Sequence, residues 1–412
     1  MYQTNGNQNS VLMPKSKTLW LVILLGVLTA FDPLTIDMYL PAFNSIQKDM
    51  NTHISFVELS VSTFFIGMAL GQLIYGPLSD RFGRKKPLLG GMLLYFLASI
   101  GCAFSQNIFL FILFRVLQAF GGSASMVISR AIVRDLFDKK HVALFLSNIA
   151  LVLGIAPIIA PSIGAFLNAL LGWRYIFLTL ALSCLICIFI VSIFLPETNT
   201  KKHESIKIKS VLHSYQDLLK DKHFIGYLIP DIAIRAGMFA YIAGSPFVFI
   251  ELFKMTPQQY GLVFGMNGLG ILIASQINKK LLQKWKPETI CSTSVIVSFL
   301  AAVFIFAFSF YSNLVFPFLI SIFFFLGMLN LISPNSIAIA LSPYGEKAGT
   351  ASALYGSLQW SMAFFSSLFV SFFHNGSALP MAGSMFICGI ISLLGYILLI
   401  RPQLNLRKTN TS

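Results

Sequence analysis

Five ionisable side chains sit inside long apolar stretches of the sequence: Asp32, Asp37, Arg115, Asp231 and Arg235. They are expected to be the whole set of such groups. If the stretches cross a bilayer, each charge costs roughly 2.5–3.5 kcal/mol at a helix centre. Carboxylates and guanidinium groups in that setting take up and release protons, or pair with other charges. On a helix, Asp32 lies about 140° around from Asp37 and roughly 7–8 Å deeper. Pro33 between them removes a backbone hydrogen bond and opens the helix wall. Arg115 falls about 10 Å below the same surface, between Asp37 at about 5–6 Å and Asp32 at about 13 Å. It can reach either carboxylate if the two helices are neighbours. Asp231 and Arg235 are four apart and share a helix face, where they either neutralise each other or contact a charged ligand.

Other chemistries find no support. No Gly-rich loop with a following Lys and Ser/Thr is present to cradle phosphates, so no nucleotide engine is expected. His53, His141, His203, His213, His223 and His374 are scattered, without metal-ligand spacing. Cys184-x-x-Cys187 lies among Leu182, Leu185, Ile186 and Ile188, where core cysteines are the expected reading. No nucleophile–base set is visible. The expectation is no enzyme, no catalytic residue, no metal and no cofactor, with an ion gradient as the only available energy source.

The elements that must position these groups follow from composition. The 412 residues are 56% hydrophobic and 11% charged, against a usual charged share of about 25%. That excludes an ordinary soluble enzyme and a disordered chain. A bilayer core of about 30 Å needs roughly 20 apolar residues per helix. Twelve such runs begin near Thr18, His53, Pro87, Ile108, Val142, Trp173, Phe224, Thr256, Pro287, Leu314, Lys347 and Ala378. The first follows the polar start MYQTNGNQNS and has a spanning length, so no cleavable leader is expected. With the N-terminus inside, 24 of the 29 Lys and Arg fall in cytoplasmic segments. Only Lys48, Arg174 and Lys254 lie outside, which places both termini in the cytoplasm by the positive-inside rule. The net charge of +14 therefore faces anionic lipid head groups rather than nucleic acid. Residues 198–222 are the longest hydrophilic interval, and the second half, with Val211, Leu212, Tyr215, Leu218 and Leu219 at helical spacing, is expected on the membrane surface. The organisation expected is an N-terminal six-helix bundle (1–195), a linker (196–222) and a C-terminal six-helix bundle (223–412). SDRFGRKKP at Ser79 and KKLLQKWKP at Lys279 echo each other at an offset of 200, as a parallel repeat would.

The loop GPLSDRFGRKKP, Gly76 to Pro87, resembles the signature loop of the major facilitator superfamily. FDPLTIDMYLPAF, FRVLQAFGGSASMVISRAIVRDLF, APIIAPSIGAFL, GWRYIFL, AYIAGSPFVFIE and GTASALYGSLQW together resemble its Bcr/CflA branch of drug:proton antiporters. The resemblance implies an all-α membrane protein, two six-helix bundles around a central cavity, in a bacterial cytoplasmic membrane. It implies a cytoplasmic latch of Gly76, Asp80, Arg81, Gly83, Arg84 and Asp135, with Gly76 allowing tight packing, Asp80 facing a helix N-terminus of the opposite half and Arg84 pairing with Asp135. Gly154, Pro157, Pro161 and Gly164 match the antiporter motif of span five, whose glycines and prolines let it bend against the other half. IDMYLPA and Arg115 imply Asp37 as the principal proton carrier and Arg115 as its tuner, against the plainer alternative of a static buried pair. Asp32 is either a second titratable site or a wetted kink.

Tyr39, Gln118, Asp231, Arg235, Tyr241, Asn267, Asn330, Asn335, Gln359 and Trp360 are the candidate pocket lining, Tyr39 and Gln118 foremost because they share helices with Asp37 and Arg115. The expected activity is proton-coupled efflux of amphiphilic drugs or other small molecules by a monomer. The alternative is export of one metabolite, such as a siderophore, peptide or amino-acid derivative.

Overall fold

The computed structural model describes residues 15–136, 139–199, 215–311 and 313–402. Among these there is no strand, and twelve long helices begin within about three residues of the expected points. They are α1 (Lys15–Asp37), α3 (Ile54–Phe82), α4 (Lys85–Phe104), α5 (Ile108–Leu136), α6 (Lys139–Leu170) and α7 (Arg174–Phe194). After the short α2 (Phe43–Asp49) in the first half and a helical stretch at 215–220 (α8), the second half holds α9 (Lys222–Pro246), α10 (Pro257–Leu281), α11 (Pro287–Phe308), α12 (Val315–Leu341), α13 (Ala348–Phe372) and α14 (Leu379–Gly395). Among the described residues, ten helical segments are long and apolar enough to cross a membrane. Large apolar side chains such as Phe109, Phe166, Phe189 and Phe316 are exposed around the outside, where only a lipid solvent makes them favourable.

The packing repeats. In the first half α1 packs on α5 and α6, α5 on α3 and α4, and α4 on α7; in the second α9 packs on α12 and α13, α12 on α10 and α11, and α11 on α14. The halves meet through two equivalent seams, α3 with α13 and α6 with α10. Small residues set these distances. Gly67 and Gly71 lie against the α5 backbone at Val116 and Phe120, so that Gly-x-x-x-Gly is packing within one half. Gly261 and Gly265 instead sit on Pro161, Ser162 and Ile158 of α6, joining the halves. The interval 200–214 lies outside the described residues. Beyond it, Leu218 is buried with Phe224 and Tyr355 against the second half, while Leu219 is exposed.

Candidate functional site

Asp32, Pro33, Ile36 and Asp37 of α1 form one wall of a partly open cavity. The remaining lining comes from Met126 (α5), Pro157 (α6), Arg235, Met238, Phe239, Tyr241 and Ile242 (α9), Phe264, Asn267, Gly268 and Ile271 (α10), Leu326 (α12) and Trp360 (α13). Both aspartates are buried, and Oδ2 of Asp32 and Oδ1 of Asp37 have no hydrogen-bond partner. The opposite wall is aromatic: Trp360 lies 5.2 Å from Phe239 and 5.7 Å from Phe65 between ring centres. Asn267 donates to the Tyr241 hydroxyl at 2.9 Å. Such a surface suits flat, amphiphilic guests, with few polar anchors.

Arg115 reaches α1 at Thr35, between Asp32 and Asp37 in depth as expected, but not at a carboxylate. It forms no ion pair with either aspartate among the described contacts. Its guanidinium donates to Gln118 Oε1 at 2.7 Å and to the Thr35 carbonyl at 3.2 Å, and lies 4.3 Å over the rings of both Tyr39 and Phe64. The Thr35 carbonyl is one of the last four of α1, which a helix leaves without an internal partner. Arg115 therefore caps the negative end of α1 inside an aromatic box, and it is this backbone carbonyl, not an aspartate, that it meets. The cation whose field reaches Asp32 is Arg130, farther along α5.

The two favoured lining residues are also displaced. Tyr39 is fully buried among Phe43, Phe111 and Phe177, with its hydroxyl on Ser60. Two residues along a helix is about 200° around it, so a residue next to Asp37 in sequence points away from its cavity. Gln118 shares the face of Arg115 and is spent on Arg115 and Ser99. Asn330 donates to the Ile271 carbonyl and Asn335 to Asn278; neither lines the cavity. Tyr241, Asn267, Trp360 and Arg235 do.

Asp231 is sealed behind Arg235. It accepts from the Tyr355 hydroxyl at 2.7 Å and from Gln359 at 3.1 Å, and stands 3.9 Å from the Arg235 guanidinium. Arg235 also donates to Ser333. Gln359 thus serves Asp231 rather than the cavity.

At the other end of α3 the basic loop folds on itself. Arg84 pairs with Asp135 at 2.7 Å, as expected, and with Asp80 at 2.5 Å. The described partner of the Asp80 side chain is this arginine, not a helix end of the opposite half. Gly83 takes φ +87°, a backbone shape that favours glycine. A Cβ on Gly76 would meet nothing within 4 Å, so tight packing is not its role. Arg81 lies over the Phe82 ring. In α6, Pro157 reaches the cavity and Gly164 abuts the Met38 carbonyl of α1; Gly154 lies in the same helix.

Two carboxylates escaped the sequence reading. Glu58, in the first turns of α3, is 1% exposed; a count of every acid inside the second apolar run would have found it. Glu197 accepts from the backbone N–H of Arg84 at 2.7 Å and of Lys85 at 3.2 Å, capping α4 from beyond α7. Partial burial raises its pKa, but the N–H groups of Asn199, Arg84, Lys85 and Thr198 outweigh that and hold it below the usual range. A lowered carboxylate pKa gives stability that is present above the unfolded value of about 4.3 and lost as pH falls through the folded one. Glu197→Ala should cost on the order of 1 kcal/mol, as loss of a helix cap does, and flatten the acid limb of a detergent-phase melting curve. An unchanged limb would show the cap carries no weight.

Repeated helix sets around a buried, acid-bearing cavity define a multi-pass membrane transporter. The profile of the Major Facilitator Superfamily matches residues 25–367, and the chain belongs to that family. It is 33% identical to the uncharacterised MFS-type transporter YdgK of Bacillus subtilis, over 93% of this chain and 96% of that one. It is 31% identical to the bicyclomycin resistance protein homolog of Haemophilus influenzae, over 96% and 100%. The solved D-xylose–proton symporter superposes with TM-score 0.71 at 17% identity, covering 93% of this chain and 96% of that one.

Proposed function

We propose that the protein is a proton-coupled efflux transporter, exchanging protons for amphiphilic small molecules by alternating access. The observation that carries this reading is the pair of buried carboxylates, Asp32 and Asp37, each with an oxygen that has no hydrogen-bond partner, on the wall of a largely apolar and aromatic cavity. A buried charge without a partner is costly, so these oxygens favour either a proton or a cationic guest. Competition between the two on one wall is the simplest form of exchange. Asp37 is the principal carrier and Asp32 the second. Arg115 acts by anchoring the end of α1, and so the angle of Asp37, rather than by pairing with it. We read residues 1–195 and 223–412 as the two rocking bundles and 196–222 as their connector. Both termini are cytoplasmic, in a bacterial inner membrane, and the working unit is a monomer.

The test is purified protein in liposomes with an imposed pH gradient and a panel of cationic, neutral and zwitterionic drugs. Gradient-driven movement, at least tenfold above empty vesicles and abolished by a protonophore, is expected for cations and amphiphiles. Flux indifferent to the gradient would overturn proton exchange. Inactivity toward the whole panel, with accumulation of one cellular metabolite in cells lacking the protein, would favour the single-metabolite exporter.

A further inference from the structure

The seam between α3 and α13 carries a second buried acid. Glu58 Oε2 lies 3.2 Å from His374 Nδ1, with the side chains 1% and 8% exposed, and Oε1 of Glu58 has no partner. Glu58 belongs to the first half and His374 follows α13 in the second. One turn deeper the two helices touch again, Ser62 Oγ to Ser371 Oγ at 3.4 Å. The His374 ring is packed by Phe247 at 4.4 Å and by His53 at 5.6 Å. The start of α3 and the end of α13 lie on the face that the charge distribution assigns to the outside. This is therefore the mouth that alternating access must open.

We propose that Glu58 and His374 form a proton-binding site, separate from the α1 aspartates, whose single shared proton holds this mouth shut. The inference rests on the alternating-access reading above. With one proton between them the pair is neutral overall, whether written carboxylate–imidazolium or acid–imidazole. Release of that proton leaves a buried negative charge, and uptake of another leaves a positive one. Either is expensive in an apolar seam and is relieved when the halves part and water enters. External alkalinisation should therefore open the mouth, and mild acid should close it.

The neighbouring charges leave the pair to itself. His53 sits at the start of α3, with Nδ1 taken by Ser55. On α2, Asp49 is held by Arg174 and Trp173, and Lys48 is exposed. On the extension of α9, Glu251 is half-buried and Lys254 exposed. Arg115 of α5 is enclosed in its own aromatic box.

Spin labels at Gln106→Cys and Tyr311→Cys, exposed positions on the outer ends of the two halves, read the opening as a distance; the five native cysteines are buried. In the otherwise unchanged protein, the ratio of open to closed should rise from pH 6 to 8.5, by up to tenfold per pH unit, the limit for one proton. Glu58→Gln should reverse the sign, because the buried histidine then becomes charged in acid. Glu58→Gln with His374→Gln should remove this component at every pH. Two distances whose balance responds to pH identically with and without Glu58→Gln would overturn the dyad alone. A single distance in every variant and at every pH would overturn the transporter reading and the dyad with it. An oxidised Ser62→Cys/Ser371→Cys pair should hold the short distance throughout, and a long distance surviving that bridge would show the seam is not the gate.

Discussion

Asp37→Asn should abolish gradient-driven exchange, by at least tenfold against the unaltered protein in liposomes, while leaving the fold as stable or slightly more so. The two halves of that expectation come from one observation: Asp37 is 3% exposed and its Oδ1 has no partner. Asparagine keeps the shape and replaces the titratable carboxyl with an amide that neither takes up nor releases a proton. It also removes a buried charge for which no cation is in contact, so folding loses nothing. Asp32→Asn should be milder, because Arg130 already acts on that site. Gradient-coupled transport persisting in Asp37→Asn would remove α1 from the coupling mechanism. A large drop in Tm would mean that the carboxylate is structural.

Gly164→Val should be the most damaging single change in α6. A Cβ at Gly164 would run into the Met38 carbonyl of α1, a backbone atom that cannot turn aside. Overpacking usually costs about 1–3 kcal/mol, and a clash with backbone belongs at or above the upper end. Transport should fall with it, since the end of α1 beside Asp37 must move to accommodate the side chain. Gly76→Ala, although it lies in the family's signature loop, is the contrasting case. Its Cβ enters open space, and Ala in place of Gly inside a helix stabilises by roughly 0.5–1 kcal/mol. Melting temperatures in detergent that rank the two the other way would refute the packing described here. Equal transport by Gly164→Val and the unaltered protein would separate α6–α1 contact from function.

Much of the site was readable before any coordinates. Asp32, Asp37 and Arg235 reached the cavity because a charge in a spanning helix has few places to go. The Arg84–Asp135 pair was legible only through the loop's resemblance to the family, which implied it. Arg115, Tyr39 and Gln118 went elsewhere for a single reason. Depth along a helix follows from residue count, but direction around it relative to neighbours does not, and Arg115 turned to Gln118, a backbone carbonyl and two aromatic rings instead of a carboxylate. Glu58 was overlooked because it stands near a helix end, where an acid ordinarily reaches water. Only the approach of α13 buries it.

From the sequence by itself came the apolar spans, their starts, the clustering of the basic residues between them and the family, because each depends on local composition in a solvent of fixed thickness. Which acid meets which base, and which side chains face the cavity, was decided by the tertiary structure. Those pairings join residues tens to hundreds of positions apart, such as Glu58 with His374 and Arg115 with Thr35. They depend on how helices rotate against one another once their small residues have set the spacing.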